Sequence, residues 1–310
     1  MHAAVVTSFG AAPHYSEHPE PVAQGPDEVV VEVLAAGLHP RVRSQAAGSH
    51  YSSTGELPLV PGIDGVVRDP KGRIRYTVLD DTVMGTMAER TVIDLRRSVV
   101  LPDGIDPVQV AAAVNPVMSS WVALRRRVAF GRRKRVLILG ATGNAGRMAI
   151  QVAKRFGAAQ VIAAGRDTAR FGELRALGAD QTCTFDELSR AADVDVVIDY
   201  VWGEPTARAM VDMLTARADR SAPLTWIEIG SIAGPTAPIP SAALRSTRLK
   251  IVGSGIGSVP GRDFVKELPK LAAAVVRGGF DVRARAVPLA EVEQVWAATA
   301  GMSERVVLVP

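Results

Sequence analysis

Cysteine is almost absent: Cys183 is the single one in 310 residues. One thiol closes no internal disulfide, so the fold rests on packing, and the usage points to a reducing compartment, here expected to be the cytoplasm. Histidine is missing from most of the chain, since His2, His14, His18, His39 and His50 all fall in the first fifty residues. With no G-x-S-x-G elbow either, a Ser-His-Asp hydrolase is unsupported. No apolar run approaches the roughly 20 residues that span a bilayer. The opening MHAAVVTSFGAAPHYS has neither the charged leader nor the long apolar segment of a signal peptide. No internal repeat or low-complexity stretch is visible.

What is present is the composition of a soluble globular protein, 47% hydrophobic and 22% charged, long enough for two domains or one large one. The net charge of +4 is unevenly spread. Arg125, Arg126, Arg127, Arg132, Arg133, Lys134 and Arg135 stand together in RRRVAFGRRKR. Such a run can bind nucleic acid or polyphosphate. Only Phe130 interleaves it, however, and base stacking needs aromatic platforms. A solvated helix end leading into a strand accounts for it as well, so a nucleic-acid partner is not expected.

Up to about residue 115 the chain reads as short strands (AAVVTSF, EVVVEVLAAG, GVVRD, RIRYTVL) punctuated by Gly, Pro and Asp. Gln109 to Arg127 then reads as helical with a break at Asn115-Pro116. After it, strands and helices alternate: VLILG, a helix over 146–156, QVIAAG, a helix over 167–177, VDVVIDYV, a helix over 205–216, LTWIEIG and LKIVGSG. This rhythm predicts an α/β, doubly wound parallel sheet. Residues 262–277 look helical, and RARAVPL and RVVLVP look like strands that return to the first domain. The expected division is 1–115 with 260–310 in one discontinuous domain, and 116–259 in the other.

The densest signal is VLILGATGNAGRMAIQVAKRFGA, residues 136–158. Val136 to Leu139 form the unbroken apolar run of a strand covered on both faces. Gly140, Gly143 and Gly146 follow at a spacing of three, and Met148, Ala149, Val152 and Ala153 recur at helical spacing. Small residues there let the backbone turn tightly beside a pyrophosphate, with helix amides aimed at it. The motif predicts a bound dinucleotide, held along Gly140, Ala141, Thr142, Gly143, Asn144, Ala145 and Gly146. Such cofactors mostly carry hydride.

Together with AAGLHPRVRSQAAG, LPLVPGIDGVV, GTMAERTVI, LPDGIDPVQVAAAVNPVMSSWVALR, LGAD and DVVIDYVWG, this block resembles the medium-chain dehydrogenase/reductase superfamily. It is most similar to the zinc-independent, quinone-oxidoreductase-like branch. The resemblance covers nearly the whole length. It implies a Rossmann domain beside a GroES-like, mainly-β domain, with the active site in the cleft between them, and oligomers, here expected to be a homodimer. It also implies where zinc ligands would stand. The first ligand position falls on His39, followed by Pro40, and the usual His-Glu pair is Ile63-Asp64. A zinc centre needs three or four convergent ligands, so no metal is expected.

The second strand ends in Gly165-Arg166, where an acidic residue normally binds the ribose hydroxyls of NAD. Glycine leaves room there, and guanidinium clamps a phosphate through paired bonds. Arg170 lies four residues on, where relatives carry a basic residue. The expected cofactor is NADPH, with Asp167 as the contrary sign. Without zinc, hydride must go to an already electrophilic acceptor, a quinone or an α,β-unsaturated carbonyl compound. The resemblance places Ser119, Tyr200, Val201, Trp202, Gly230, Ser231, Gly253, Ser254 and Gly255 around the nicotinamide. On the substrate side the candidates are His39 as a donor, Tyr51 in a loop where relatives place tyrosines, and Asn115, whose amide suits either nicotinamide or a cap. Met84, Met87 and Trp121 suit an apolar pocket or plain core packing. Two alternatives stay open: a biosynthetic enoyl reductase of one substrate, and an NADPH-binding interaction or RNA-binding protein with little turnover.

Overall fold

The computed structural model describes residues 1–298 and 304–310; residues 299–303, within the expected C-terminal segment, lie outside it. In chain order the first elements are β1 (His2–Val5), β2 (His14–Glu17), β3 (Glu28–Gly37), α1 (Pro40–Ala46), β4 (Asp64–Arg68), β5 (Ile74–Val78), β6 (Arg90–Asp94), β7 (Ser98–Val100) and α2 (Pro107–Val122). Next come β8 (Arg135–Leu139), α3 (Asn144–Arg155), β9 (Gln160–Ala164), α4 (Phe171–Ala176), β10 (Gln181–Cys183), β11 (Val196–Asp199), α5 (Gly203–Ala216), β12 (Leu224–Glu228), α6 (Ser241–Arg245) and β13 (Leu249–Gly253). The chain closes with α7 (Gly261–Val276), β14 (Ala284–Pro288), α8 (Val292–Ala298) and β15 (Arg305–Val309). Two compact units result, Met1–Asn115 with Val265–Pro310, and Pro116–Phe264. The division falls inside α7 rather than at 260, because that helix runs unbroken through the boundary.

In the unit Pro116–Phe264 six parallel strands lie in the order β10-β9-β8-β11-β12-β13. Val136 to Leu139 of β8 have no exposed surface, as a central parallel strand requires. Met148, Ala149, Val152 and Ala153 of α3 are all buried. Met210 and Met213 of α5 join Leu137 and Trp226 in one apolar cluster. The strand order reverses between β8 and β11, which marks the switch point where ligands bind in open α/β sheets.

Helix α2 corrects one expectation: it does not break at Asn115-Pro116 but carries Pro116 in its interior. The lost hydrogen bond and ring clash cost about 3 kcal/mol. Here the helix buries Val110 to Val114, Val117, Trp121 and Val122, and that burial outweighs the defect. Trp121 packs edge-on against Phe156 at 4.7 Å, and Met87 is fully buried in the other unit's core. Both are therefore core residues rather than pocket lining.

The basic run is largely engaged within its own unit. Arg127 donates to the carbonyls of Gly253 (2.7 Å) and Ser258 (2.9 Å). Lys134 pairs with Asp195 at 2.9 Å, Arg135 bonds Gln160, and Arg125 lies over the Phe156 ring.

The unit Met1–Asn115 with Val265–Pro310 holds a seven-stranded sheet, β14-β15-β3-β4-β5-β7, with β6 also on β3. Its pairs are antiparallel except β14 with β15. β15 returns to β3 through Val307 opposite Gly37. Val31, Val33, Val67, Ile93 and Leu308 form its core. Among the described residues no helix is long and apolar enough to cross a membrane.

Cys183 is 2% exposed, and burial pushes its thiol up to about 11. The thiolate is the reactive form, so native protein should resist iodoacetamide near neutral pH and take up one equivalent only after denaturation. Stoichiometric alkylation of folded protein would contradict this placement.

Candidate cofactor and active site

The turn after β8 is built by contacts that exclude side chains. Gly140 has φ +79°, a left-handed conformation that glycine adopts without cost. At Gly146 a Cβ would stand 2.4 Å from the Gly140 carbonyl oxygen and 2.6 Å from Ala141 Cα. Both are backbone atoms and cannot swing aside. Gly143 caps α3 with no side-chain bond, so the first-turn amides of Asn144 and Ala145 have no helical acceptor and remain aimed along the axis with the helix dipole. Ala141 makes a different contribution from the one expected of it. It is fully buried and its amide donates to the Ala164 carbonyl at 2.9 Å, fastening the turn to β9. Beside it, Gly165 is buried against Thr142, whose methyl would meet a Cβ at 2.7 Å. This is a cradle in which backbone, rather than side chain, lines the approach to a diphosphate.

The next strand's turn is held by Asp199, fully buried at the end of β11. Its Oδ1 accepts from the Val201 and Trp202 amides at 2.7 and 3.0 Å. Its Oδ2 accepts from the Thr206 hydroxyl at 2.7 Å and the Trp226 indole at 2.9 Å. The clamp holds Trp202 at φ +52° and Gly203 at φ +68°. Trp202 stays half-buried beyond the strand end. Burial, with the nearby Asp199 charge, raises the Glu228 carboxyl above its ordinary value. Tyr200 meets Ser119 across a 2.9 Å hydroxyl bond. Burial drives the phenol up to about 12 against that bond, so it is neutral and can donate.

Among the residues expected around the nicotinamide, several have their amides engaged within the protein. Gly230 donates to the Asp199 carbonyl (3.2 Å), Ser254 to the Glu228 carbonyl (2.8 Å) and Gly255 to the Ser258 hydroxyl (2.7 Å). The Gly253 carbonyl, likewise, accepts from Arg127. Ser231 is exposed. Arg166 is exposed, whereas Arg170 is partly buried and turned to Glu173 at 3.4 Å.

In the other unit His39 is 3% exposed, one residue before α1. Its Nε2 lies 2.8 Å from Asp64 Oδ1, and Tyr76 donates its hydroxyl to Asp64 Oδ2. Arg305 reaches the Leu38 carbonyl at 3.3 Å beside them. Burial lowers the His39 pKa, outweighing the pull of Asp64, and raises that of Tyr76 well above the usual phenol range. Arg305 is likewise lowered by burial, to about 10. A neutral imidazole giving Nε2–H to Asp64 leaves Nδ1, which has no hydrogen-bond partner among the described residues, as an acceptor. His39 therefore does not suit the proton-donor role expected of it. Tyr51 is 72% exposed with its ring 4.0 Å from that of His50. His50 in turn bonds Ser52, which also meets Arg41 and Asp81. Asn115 is half-buried in mid-helix and caps nothing.

Among the described residues no group of three His, Cys, Asp or Glu side chains comes together to hold a metal. The Asp64 partnership, the Asp199 clamp and the Arg41–Asp81 pair were missed from sequence. The two aspartates at strand ends, directly beside glycine or a turn, were the available signals.

Asp199→Ala would strand three buried donors, each costing about 1–3 kcal/mol, and the half-buried Trp202 amide. Urea unfolding should show a loss of about 3 kcal/mol or more; a loss under about 1 kcal/mol would mean another contact holds the turn. For His39 the folded pKa lies below the unfolded value. The stability of its neutral form is therefore present above about pH 6.5 and lost on acidification, since the unfolded chain then binds the extra proton. Between about pH 7.5 and about pH 5.5, His39→Gln should lose less stability than the parent protein. An unchanged pH slope would remove His39 from that transition.

Known proteins fit this architecture. Residues 145–274 match the family model described as zinc-binding dehydrogenase. The chain is 31% identical to the probable NADPH-dependent quinone reductase tdiC of Emericella nidulans, over 100% of both chains. It is 29% identical to the chloroplastic NADPH-dependent alkenal/one oxidoreductase of Arabidopsis thaliana, over 50% of this chain and 44% of that one. The quinone oxidoreductase of Thermus thermophilus, solved also with NADPH, superimposes with a TM-score of 0.85 at 25% identity over 100% of each chain. From the glycine cradle, the strand order and this full-length likeness, the chain belongs to the quinone-oxidoreductase-like branch of the medium-chain dehydrogenase/reductase family.

Proposed function

We propose that this protein is a zinc-independent, NADPH-dependent oxidoreductase that passes hydride to a quinone or an α,β-unsaturated carbonyl compound. The observation that carries the cofactor choice is the turn after β9. Gly165 packs on Thr142 with no room for a side chain, and the charged residues that follow in the turn are Arg166 and Asp167, both exposed, and Arg170, half-buried, two cations against one anion. A carboxylate at the position of Arg166 would repel a ribose phosphate, whereas guanidinium groups bond it directly. The acceptor class rests on the full-length likeness to a quinone reductase and the partial likeness to an alkenal/one oxidoreductase.

Gly140, Thr142, Gly143, Asn144, Ala145 and Gly146 hold the diphosphate through backbone groups in this reading. Tyr200, Val201 and Trp202, shaped by Asp199, bound the nicotinamide side, with Ser119 steadying Tyr200. Bound NADPH supplies the hydride. The protein's part is to hold donor and acceptor in near-attack contact and to keep water out. His39 Nδ1 accepts a hydrogen bond, and Tyr51 or Asn115 donates one to the acceptor's oxygen as charge develops there. Independence from zinc is supported by the chemistry at the family's ligand positions, where His39 is committed to Asp64 and Ile63 offers no donor. A homodimer in the cytoplasm completes the proposal. A specific enoyl reductase is the second reading, favoured by 28% identity to the trans-enoyl reductase pgmF of Aspergillus terreus over 67% of this chain.

Competitive binding should show NADPH at least about 10-fold tighter than NADH, since a charge-assisted hydrogen bond contributes about 1.5–3 kcal/mol. Arg166→Ala and Arg170→Ala should each erode that preference. Equal affinities would refute the cofactor assignment. Anaerobic NADPH oxidation with quinones, enals, cyclic enones and acyl-thioesters should give turnover on the first three in protein stripped of metal by chelation. Activity confined to acyl-thioesters would favour the enoyl-reductase reading, and activity restored only by added zinc would overturn the metal-free mechanism.

A further inference from the structure

Position 147 lies in the first turn of α3, directly after the glycine motif, on the face that meets the rest of the unit. It lies off the stripe of Met148, Ala149, Val152 and Ala153, yet the side chain there is buried, and it is an arginine. Arg147 is 1% exposed. A cation at the positive end of a helix is disfavoured by the dipole, and a buried one needs an anion. Glu173 of α4 supplies it, with Oε1 2.6 Å from Arg147 Nη2. The other oxygen, Oε2, lies 3.4 Å from Arg170 Nε. One carboxylate thus stands between two guanidiniums, close to the buried one and loosely against the other. The trio carries one positive charge in excess, beside the β9 turn.

We infer that Arg147 is a specificity-determining positioning residue: by taking up the charge of Glu173 it leaves Arg170 available to the phosphate of a 2′-phosphorylated adenosine. This rests on the cofactor reading above. Glu173 follows the second strand's turn by a few residues. A carboxylate left unneutralised there would hold Arg170 to itself and repel a phosphate dianion. An acidic group after this strand binds the ribose hydroxyls of NAD instead. Paired with Arg147, the acid becomes a neutral support. The selectivity of the turn thereby depends on a residue that is itself buried away from the ligand.

The probes are 2′,5′-ADP and 5′-AMP, together with NADPH and NADH, titrated by calorimetry against full-length protein whose folding is checked by its melting temperature. Arg147→Leu should weaken 2′,5′-ADP and NADPH by about 10-fold or more while leaving 5′-AMP and NADH within about threefold. Adding Glu173→Gln to Arg147→Leu should restore the preference for the 2′-phosphate. Loss of a merely structural contact would weaken all four ligands alike, and the second substitution would rescue none. Glu173→Gln alone should shift the NADPH-to-NADH ratio by less than about threefold, because the carboxylate is already neutralised. A rise of more than about 10-fold in that variant overturns the inference even if Arg147→Leu fails to fold. If the parent protein binds neither 2′,5′-ADP nor NADPH, the cofactor reading itself fails. If it binds both and Arg147→Leu changes neither, only this inference fails.

Discussion

The approach of α3 to β8 is the constraint on which the cofactor-binding unit depends. Gly146 lies so close to the Gly140 carbonyl and Ala141 that no Cβ fits between them. That contact sets the angle at which the helix leaves the strand, and therefore the line along which the first-turn amides point. Ala141 then ties the turn to β9, and Gly165 closes on Thr142 from the other side. Gly146 and Gly165 act here by having no side chain, one against backbone and the other against a short side chain, and Gly140 by its left-handed φ.

Buried carboxylates organise what the glycines leave open. Asp199 gathers two amides, a hydroxyl and an indole and so shapes the turn after β11. Asp64 gathers an imidazole and a phenol in the other unit. Glu173 stands between Arg147 and Arg170. For the two buried aspartates, a group that is costly to bury is satisfied by several donors, and the donors are thereby fixed in place; the half-buried Glu173 acts through its charge. The family's metal-ligand positions follow the same rule: His39, which could have been a ligand, has its Nε2 committed to a carboxylate.

Much of this was legible in the residues. The apolar run at Val136–Leu139, the glycine spacing and the alternation of strands and helices announced a parallel sheet and its phosphate turn. The strand-rich first part and the returning RVVLVP announced the second sheet. Asn115-Pro116 misled, because local propensity argues for a break while the burial of α2 on several sides carries the helix through. The hydrogen bonds of the Gly230, Ser254 and Gly255 amides were not legible either: position at a strand end says nothing about which carbonyl or hydroxyl nearby has taken the donor. Arg147 was passed over because a motif directs attention to its glycines and not to the residue after them.

By itself the sequence determined the fold class, the place of the dinucleotide turn and the basic character of the segment after the second strand, because each is a local pattern of residue size, polarity and spacing. Only the tertiary structure decided which polar and charged groups meet. His39 with Asp64, Arg147 with Glu173 and Asp199 with Trp226 are 25, 26 and 27 residues apart. Pairings across such distances are set by how strands and helices stack, and the energy of a buried charge depends on those neighbours rather than on its place in the chain.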